Sequence, residues 1–178
     1  LMACYVSAPE CVSLLRAEAA CDLFEAAALG DEPALQAAYA RTPESITGRS
    51  GDGWSALHLA AFFGRVDSVR WLLDRGADLD AVSAGPEANR PLHAALAGAA
   101  DPGVVRMLVD RGADIRATGA SDITPVHIAA SRGSDAFVDL LVAEGAPPQA
   151  TMTDGRTPAY LAAERGFTPL AERLRAMR

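Results

Sequence analysis

The chain has 178 residues, which is enough for one substantial domain. Its formal net charge of −7 argues against binding nucleic acid through a basic surface. Half of the residues are hydrophobic but only 6% are aromatic, so we expect a core of Ala, Leu and Val between close-packed helices. No apolar run approaches the roughly 18 residues of a membrane-spanning helix. All 16 basic residues are arginine, a bias that we interpret as bacterial coding preference.

The first predicted element is an N-terminal extension over residues 1–21, in which residues 9–20 are expected to form an extra helix or to extend the first helix. The three cysteines of the chain, Cys4, Cys11 and Cys21, all lie in this extension. Their number is odd and their spacing matches no usual zinc site, so free thiols in a reducing, cytoplasmic environment are expected. The opening letters LMAC resemble the end of a lipoprotein signal without its apolar segment, which leaves a lipid-anchored or secreted protein as the alternative.

Beyond the extension, two short motifs recur with a period of about 34 residues. The first motif appears as SALH at 55–58, RPLH at 90–93, TPVH at 124–127 and TPAY at 157–160. The second appears as LLDRGADLDA from Leu72, LVDRGADIRA from Leu108 and LVAEGAPPQA from Leu141. Because both series keep the same phase, the chain is expected to consist of repeated units.

One unit illustrates the predicted structure of all of them. Thr124 is a good residue to cap a helix, and Pro125 is tolerated at a first helical position because its missing N–H has no partner there anyway. Gly133 favours the end of that helix, and the apolar spacing predicts a second helix from about Asp135 to Glu144. Such a helix pair cannot bury its apolar face alone, so neighbouring units must stack into one continuous core.

These two motifs, held in phase over several copies, resemble the ankyrin repeat family over about residues 20–178. The resemblance implies an all-α solenoid of stacked helix–turn–helix units joined by hairpin loops, with N- and C-terminal capping repeats. The expected units are an N-capping repeat, three full repeats and a C-capping repeat, at residues 22–50, 51–84, 85–118, 119–150 and 151–178.

The repeat at 85–118 departs from this pattern in three ways. Arg90 replaces the capping Thr or Ser, at an expected loss of about 1 kcal/mol. The turn LAGAADPG has an extra residue, and the preceding loop AVSAGPEAN is about two residues longer than its counterparts. We expect this repeat to fray first. In the C-capping repeat, polar residues at normally apolar positions predict a polar outer face: Glu172, Arg173, Arg175 and Arg178.

All three histidines, His58, His93 and His127, occupy the same place in successive repeats. The resemblance implies that each imidazole bonds the backbone of the adjoining loop, with Tyr160 able to do the same in the last unit. Metal ligands must converge on one point, whereas these residues recur one repeat apart, so no metal site is expected. No nucleophile or phosphate-loop motif is present, and we expect neither a cofactor nor an enzyme activity.

Other polar and aromatic residues of the second helices are expected to be structural. Arg70 and Asp74, like Arg106 and Asp110, are spaced for i,i+4 ion pairs on a solvated face. Trp71 falls at an apolar position of its helix and is predicted to pack in the core.

In the ankyrin family, partners bind the concave side formed by the hairpin tips and the first helices. The resemblance places the contact positions just before each capping residue and just before each helix-ending glycine. The first group comprises Trp54, Asn89, Ile123 and Arg156. The second comprises Phe62 and Phe63, then Ala97 and Gly98 beside the extra residue, then Ser131 and Arg132, then Glu164 and Arg165.

Trp54, Phe62 and Phe63 form the most notable part of this predicted surface, which Ile123 could extend. Exposed aromatic residues in an acidic chain favour an interaction site, although both phenylalanines could instead pack against the N-terminal cap. The predicted function is a non-enzymatic, monomeric scaffold (an adaptor, inhibitor or effector) that binds a protein and neither nucleic acid nor membrane. The alternatives are a thiol-based regulatory module using the three cysteines, and a fragment of a larger multidomain enzyme.

Overall fold

The computed structural model describes residues 21–99 and 101–177, and these residues form ten α-helices in five consecutive pairs. The pairs are α1 (Leu23–Leu29) with α2 (Glu32–Arg41), α3 (Ala56–Phe62) with α4 (Val66–Asp74), α5 (Pro91–Ala97) with α6 (Pro102–Asp110), α7 (Pro125–Ser131) with α8 (Asp135–Ala143), and α9 (Pro158–Glu164) with α10 (Thr168–Ala176). The predicted helix within residues 9–20 lies outside the described residues, as do Cys4, Cys11 and Arg178.

All the described α-helices except α4 begin where the sequence offers an acceptor or a proline. Asp22 accepts a hydrogen bond from the Glu25 N–H at 2.8 Å, and Thr157 accepts one from the Tyr160 N–H at 3.2 Å. These side-chain oxygens satisfy backbone donors that have no partner within the helix. Proline stands at the first or second position of α2, α5, α6, α7, α9 and α10. Short side-chain signals therefore set where most helices start.

The pairs stack in chain order around one core. The first helices α1, α3, α5, α7 and α9 each pack against the next, and each second helix packs against the first helix of its own pair. One leucine of each of the last four second helices is fully buried at the same repeat position: Leu72, Leu108, Leu141 and Leu174. The predicted all-α stack of helix pairs is confirmed, and no strand occurs in the described ranges. The exact limits between repeats stay a prediction.

Charged residues on the second helices connect neighbouring pairs more than the sequence suggested. Arg70 pairs with Asp67 at 2.9 Å, and Asp74 pairs with Arg111 of the next repeat at 2.9 Å. The predicted Arg70–Asp74 pair is therefore wrong, because the stacked neighbour offers Asp74 a closer partner. The Arg106–Asp110 pair is present at 3.9 Å.

Arg173 was expected on a polar outer face, but it forms ion pairs with the preceding helix pair. Its guanidinium bonds Asp135 at 2.6 Å and Asp139 at 2.5 Å, both on α8. Arg173 thus ties the last helix pair to the one before it. Trp71 is buried as predicted, with the ring of Tyr39 at 5.4 Å and the Arg75 guanidinium 3.8 Å from its centre.

In the part of the chain that the structure describes, no helix is both long and apolar enough to cross a bilayer.

Candidate partner-binding surface

Two buried histidines fix the hairpin tips to the first helices. The Nε2–H of His58 donates to the carbonyl of Asn89 at 2.9 Å, and that of His127 donates to the carbonyl of Arg156 at 3.3 Å. In each case Nδ1 accepts the N–H of the residue that precedes its helix, Ser55 or Thr124, which assigns the proton to Nε2. The bond to the adjoining loop predicted from the repeat pattern is thus confirmed for both residues.

His93 keeps only half of this arrangement. Its Nδ1 accepts the Arg90 N–H at 3.3 Å, but its buried Nε2 has no hydrogen-bond partner in residues 21–99 and 101–177. Arg90 provides no side-chain acceptor for the start of α5, and its guanidinium instead donates to the Thr118 carbonyl at 3.2 Å. The missing capping oxygen expected from the sequence is confirmed. Early fraying of this repeat stays a prediction.

Burial keeps these imidazoles neutral. It lowers the pKa of His58 and of His93 to about 4, although a backbone carbonyl near each ring partly opposes the effect, and it also lowers the pKa of His127. Desolvation disfavours the charged form, so all three rings are neutral at neutral pH. They bring no positive charge to the surface above them.

Tyr160 does not repeat the role of the histidines. The three imidazoles are 0% exposed, whereas Tyr160 is 50% exposed. Among the described residues no hairpin follows the last helix pair, so nothing there covers this position. The suggestion that Tyr160 makes an equivalent bond is not supported.

Trp54, Phe62 and Phe63 form a connected aromatic cluster. The rings of Trp54 and Phe62 meet edge to face at 5.4 Å, and those of Phe62 and Phe63 at 5.1 Å. All three side chains are partly exposed, and none belongs to the buried core. Trp54 also lies 5.6 Å from the His58 ring. The three rings thus contact one another in series while each keeps part of its surface exposed.

The turn between α5 and α6, which contains the extra residue, packs against the backbone of Phe62. The N–H of Ala99 donates to the Phe62 carbonyl at 2.7 Å, and a Cβ added to Gly98 would lie 2.0 Å from the same oxygen. Only glycine fits so close to a neighbouring backbone. Gly98 is therefore a packing position, while Ala97 ends α5 and is exposed.

Six other predicted contact residues line a single open groove of about 430 Å³ beside this cluster. They are Asn89, Ala97, Ile123, Ser131, Arg132 and Arg165. The hairpin tips provide Asn89 and Ile123, and the ends of α5, α7 and α9 provide the other four. The structure thus divides the predicted surface into an aromatic cluster and a groove, and it places Ile123 in the groove.

The two remaining predicted residues lie outside the groove lining. Arg156 pairs with Asp154 at 2.7 Å, and the Arg156 N–H together with this guanidinium lowers the pKa of the Asp154 carboxyl. Glu164 is exposed at the end of α9. Arg156 is paired with a carboxylate and Glu164 is acidic, so neither residue adds positive charge to the groove.

Sequence reasoning missed three residues of the groove lining, Glu87, Ala120 and Ile128. Glu87 lines its hairpin end, and Ile128 lines its floor. Ile128 falls at an apolar position of α7 and is only 8% exposed, so periodicity alone assigns it to the core. Glu87 belongs to the longer loop of the irregular repeat, for which the repeat pattern has no counterpart.

Metal binding would need a cluster of ligands, and thiol chemistry would need a reactive cysteine. Within the described ranges no group of His, Cys, Asp and Glu side chains is arranged to hold a metal ion. Burial and the neighbouring carboxylates Glu25 and Asp22 raise the pKa of Cys21 to about 11. A reactive thiol needs the opposite shift, because the thiolate is the nucleophile.

Comparison with known protein families decides the classification. A family model described as ankyrin repeats (3 copies) matches residues 1–119 and 92–177. The chain belongs to the ankyrin repeat family. Its stacked pairs, capping prolines and buried histidines are the structural counterpart of that match. The repeats of this family generally mediate protein–protein interactions.

Three known proteins resemble the ankyrin-repeat chain over shorter stretches. The NF-kappa-B inhibitor cactus of Drosophila yakuba is 37% identical over 68 residues, which is 38% of the chain and 14% of cactus. From Oryza sativa subsp. japonica, the probable E3 ubiquitin-protein ligase XBOS31 is 45% identical and the E3 ubiquitin-protein ligase XB3 is 47% identical, each over 64 residues. These alignments cover 35% of the chain and 14% of each ligase.

Proposed function

We propose that the chain is a non-enzymatic scaffold that binds another protein through one surface, the recognition face. We define this face as the hairpin residues 51–54, 85–89, 119–123 and 153–156 together with the C-terminal ends of α3, α5, α7 and α9. The general role of ankyrin repeats supports the class of function. One relative, cactus, is named as an inhibitor. Adaptor, inhibitor and effector roles are all compatible with such a face.

The observation that carries this proposal is the aromatic cluster of Trp54, Phe62 and Phe63. Edge-to-face contacts hold the three rings in fixed positions while part of each remains exposed. Rigid aromatic side chains provide a large contact area at little cost in conformational entropy, which is why they dominate binding hot spots. A partner that covers the cluster would bury this surface without reorganising the protein. A cytoplasmic, monomeric state stays a prediction.

The test is to capture the partner from the native lysate, purify it, and titrate it against wild type and a W54A/F62A double variant. Truncating two central aromatic residues should weaken binding by at least about 2 kcal/mol, close to thirtyfold in Kd. Circular dichroism should show unchanged helicity, because the two rings lie outside the buried core.

Tyr160→Ala is the matched control, since Tyr160 is an exposed aromatic residue at the end of the stack. The control should retain wild-type affinity. Equal affinity of the W54A/F62A variant and wild type would show that the assigned face is wrong. Equal weakening by Tyr160→Ala would point to a second contact at the C-terminal end.

The alternative is a recognition module within a larger enzyme, which the names of the two rice relatives favour. An antibody against the chain, used on an immunoblot of the source cells, distinguishes the two ideas. A band near 18.5 kDa supports a separate scaffold, and a much larger one supports the module. The raised pKa of Cys21 argues against a thiol switch at that residue.

A further inference from the structure

The groove beside the aromatic cluster has a charge that contrasts with the whole chain. The chain carries a net charge of −7, yet two arginines, Arg132 and Arg165, line the helix end of the groove. The single carboxylate in the lining, Glu87, belongs to the hairpin end. The groove is therefore positive where the helices end, in an otherwise acidic protein.

These two arginines have no carboxylate partner among the described residues, whereas several other arginines do. Arg70, Arg106, Arg111, Arg156 and Arg173 all form ion pairs with aspartates. Arg132 instead donates one N–H to the Ala97 carbonyl at 2.7 Å, which orients its guanidinium and leaves its other donors available. Arg165 forms no ion pair in the described part of the chain, not even with its sequence neighbour Glu164. Both side chains are exposed.

The surface beneath the arginines is apolar. Ile123 and Ile128 line the same groove, and Ile128 is 8% exposed. A second hollow of about 340 Å³ shares Ser131, Arg132 and Arg165 with the first and extends the path to Phe167. The two hollows therefore adjoin and form one open path that offers both aliphatic and guanidinium surfaces. One small anion would leave most of it empty, whereas a chain of several residues would fill it.

We propose that this path, the arginine groove, binds an acidic segment of the partner protein in which a carboxylate side chain stands close to an aliphatic one. Arg132 and Arg165 pair with the carboxylate, since a guanidinium offers parallel N–H donors that match two carboxylate oxygens. Ile123 and Ile128 pack against the aliphatic side chain. This assignment rests on the proposed protein-binding function and specifies the chemistry of the partner.

Nucleic acid would offer negative charge too, but the groove favours it less. Binding a phosphate backbone calls for a row of basic residues, and this path has two arginines and a carboxylate. The isoleucines would also remain without a partner. Binding of an oligonucleotide is therefore an outcome that would contradict the proposal.

The experiment is a selection from a displayed library of random peptides, run in parallel on wild type and an R132E/R165E charge-reversed variant. Wild type should select peptides with Asp or Glu near Leu, Ile or Val. The charge-reversed variant should select Lys or Arg at the corresponding position. A synthetic peptide carrying the wild-type consensus should bind the variant at least about tenfold more weakly in fluorescence anisotropy.

The control variant R70E/R106E reverses two exposed arginines of the second helices, away from the groove. It should select the same acidic peptides as wild type, and thermal melts should show that both variants are folded. A twelve-nucleotide single-stranded DNA, added as a competitor, should not displace the peptide.

The outcomes separate this inference from the proposed function. Peptides that bind wild type and lose affinity in W54A/F62A, but show no excess of acidic residues, would leave protein binding intact and overturn the acidic segment. An acidic preference that survives charge reversal, or displacement by the DNA, would overturn it as well. Failure of wild type to select any peptide would contradict both proposals.

Discussion

At the scale of single residues, four equivalent hairpin positions hold the backbone in the left-handed region. Two of them are glycines, Gly53 with φ 85° and Gly155 with φ 82°. The other two are Ala88 with φ 47° and Asp122 with φ 59°. An L-residue in this region costs about 1 kcal/mol or more, and glycine does not. The irregular repeat and its neighbour therefore keep strained tips where the other hairpins are relaxed.

Replacing Ala88 by glycine should stabilise the protein. Relief of the left-handed strain should exceed the entropy that glycine adds to the unfolded chain, for a net gain of about 0.5–1 kcal/mol. Urea denaturation followed by circular dichroism measures the difference. Ala136→Gly, the same substitution at an exposed position inside α8, should instead lower the free energy of unfolding by about 0.5–1 kcal/mol. A loss of stability in both variants would show that Ala88 is not strained.

Ala88 and Asp122 also belong to the hairpins that carry Asn89 and Ile123 into the groove. Asp122 accepts a hydrogen bond from the Thr153 hydroxyl at 2.8 Å, which links its hairpin to the next one. Strained residues persist where the surrounding structure holds them in place. The hairpin tips next to the arginine groove are thus set by contacts between repeats, in addition to their own turn preferences.

At the scale of elements, three first helices each bury a neutral histidine. An exposed histidine in the unfolded chain titrates near 6.5, whereas burial lowers the pKa of His58 and His93 to about 4 in the folded protein. Between these values the unfolded chain binds more protons than the folded one. The free energy of unfolding must therefore fall as the pH is lowered through this window.

The prediction is that stability is highest above about pH 7 and decreases steadily from about pH 6.5 to about pH 4. Each buried histidine contributes a slope of up to about 1.4 kcal/mol per pH unit. Unfolding at pH 5, measured by calorimetry in buffers of different ionisation enthalpy, should take up about one proton for each of His58 and His93. His58→Gln should reduce this uptake by about one proton. An uptake close to zero in wild type would mean that the imidazoles are already charged in the folded state.

The elements also show why sequence predicted the helices so well. Thr124, Pro125 and Gly133 act within a few residues of themselves, so their effect on α7 is readable without the rest of the fold. The second helix of that unit was predicted to end at Glu144 and ends at Ala143. A buried leucine in every second helix follows from the same local periodicity. Confirmation of the fold therefore rests on signals that repeat along the chain.

Contacts between repeats were harder to predict, because they depend on the stacking geometry. Asp74 has Arg70 one turn away in sequence, yet it binds Arg111 of the next repeat. With the extra residue near Gly98, the Ala99 N–H donates to the Phe62 carbonyl. The other repeats have no counterpart of this residue, so the repeat pattern could not predict the contact. Sequence proposed the contact positions by analogy, and the structure divides them between cluster and groove. Which of them touch a partner stays a prediction.

At the scale of the whole molecule, the packing is almost one-dimensional. Each helix pair contacts mainly the pairs before and after it, so within residues 21–99 and 101–177 the central pairs have two neighbours and the last described pair, α9 with α10, has one. Stability in such a stack is close to a sum of unit terms and interface terms between neighbours. A defect of equal size should therefore have different consequences at the end and in the middle.

Leu174 and Leu108 allow this to be tested with one substitution, since both are 0% exposed at the same repeat position. Each change to alanine should cost about 2–5 kcal/mol locally. In Leu174→Ala, hydrogen exchange should accelerate in α9 and α10 while α3 to α6 remain as protected as in wild type. In Leu108→Ala, protection should fall on both sides of the substitution, because the break interrupts the stack. Uniform acceleration along the whole chain in Leu174→Ala would show instead that the five helix pairs unfold as a single cooperative unit, with no independent opening at the end that carries Arg165.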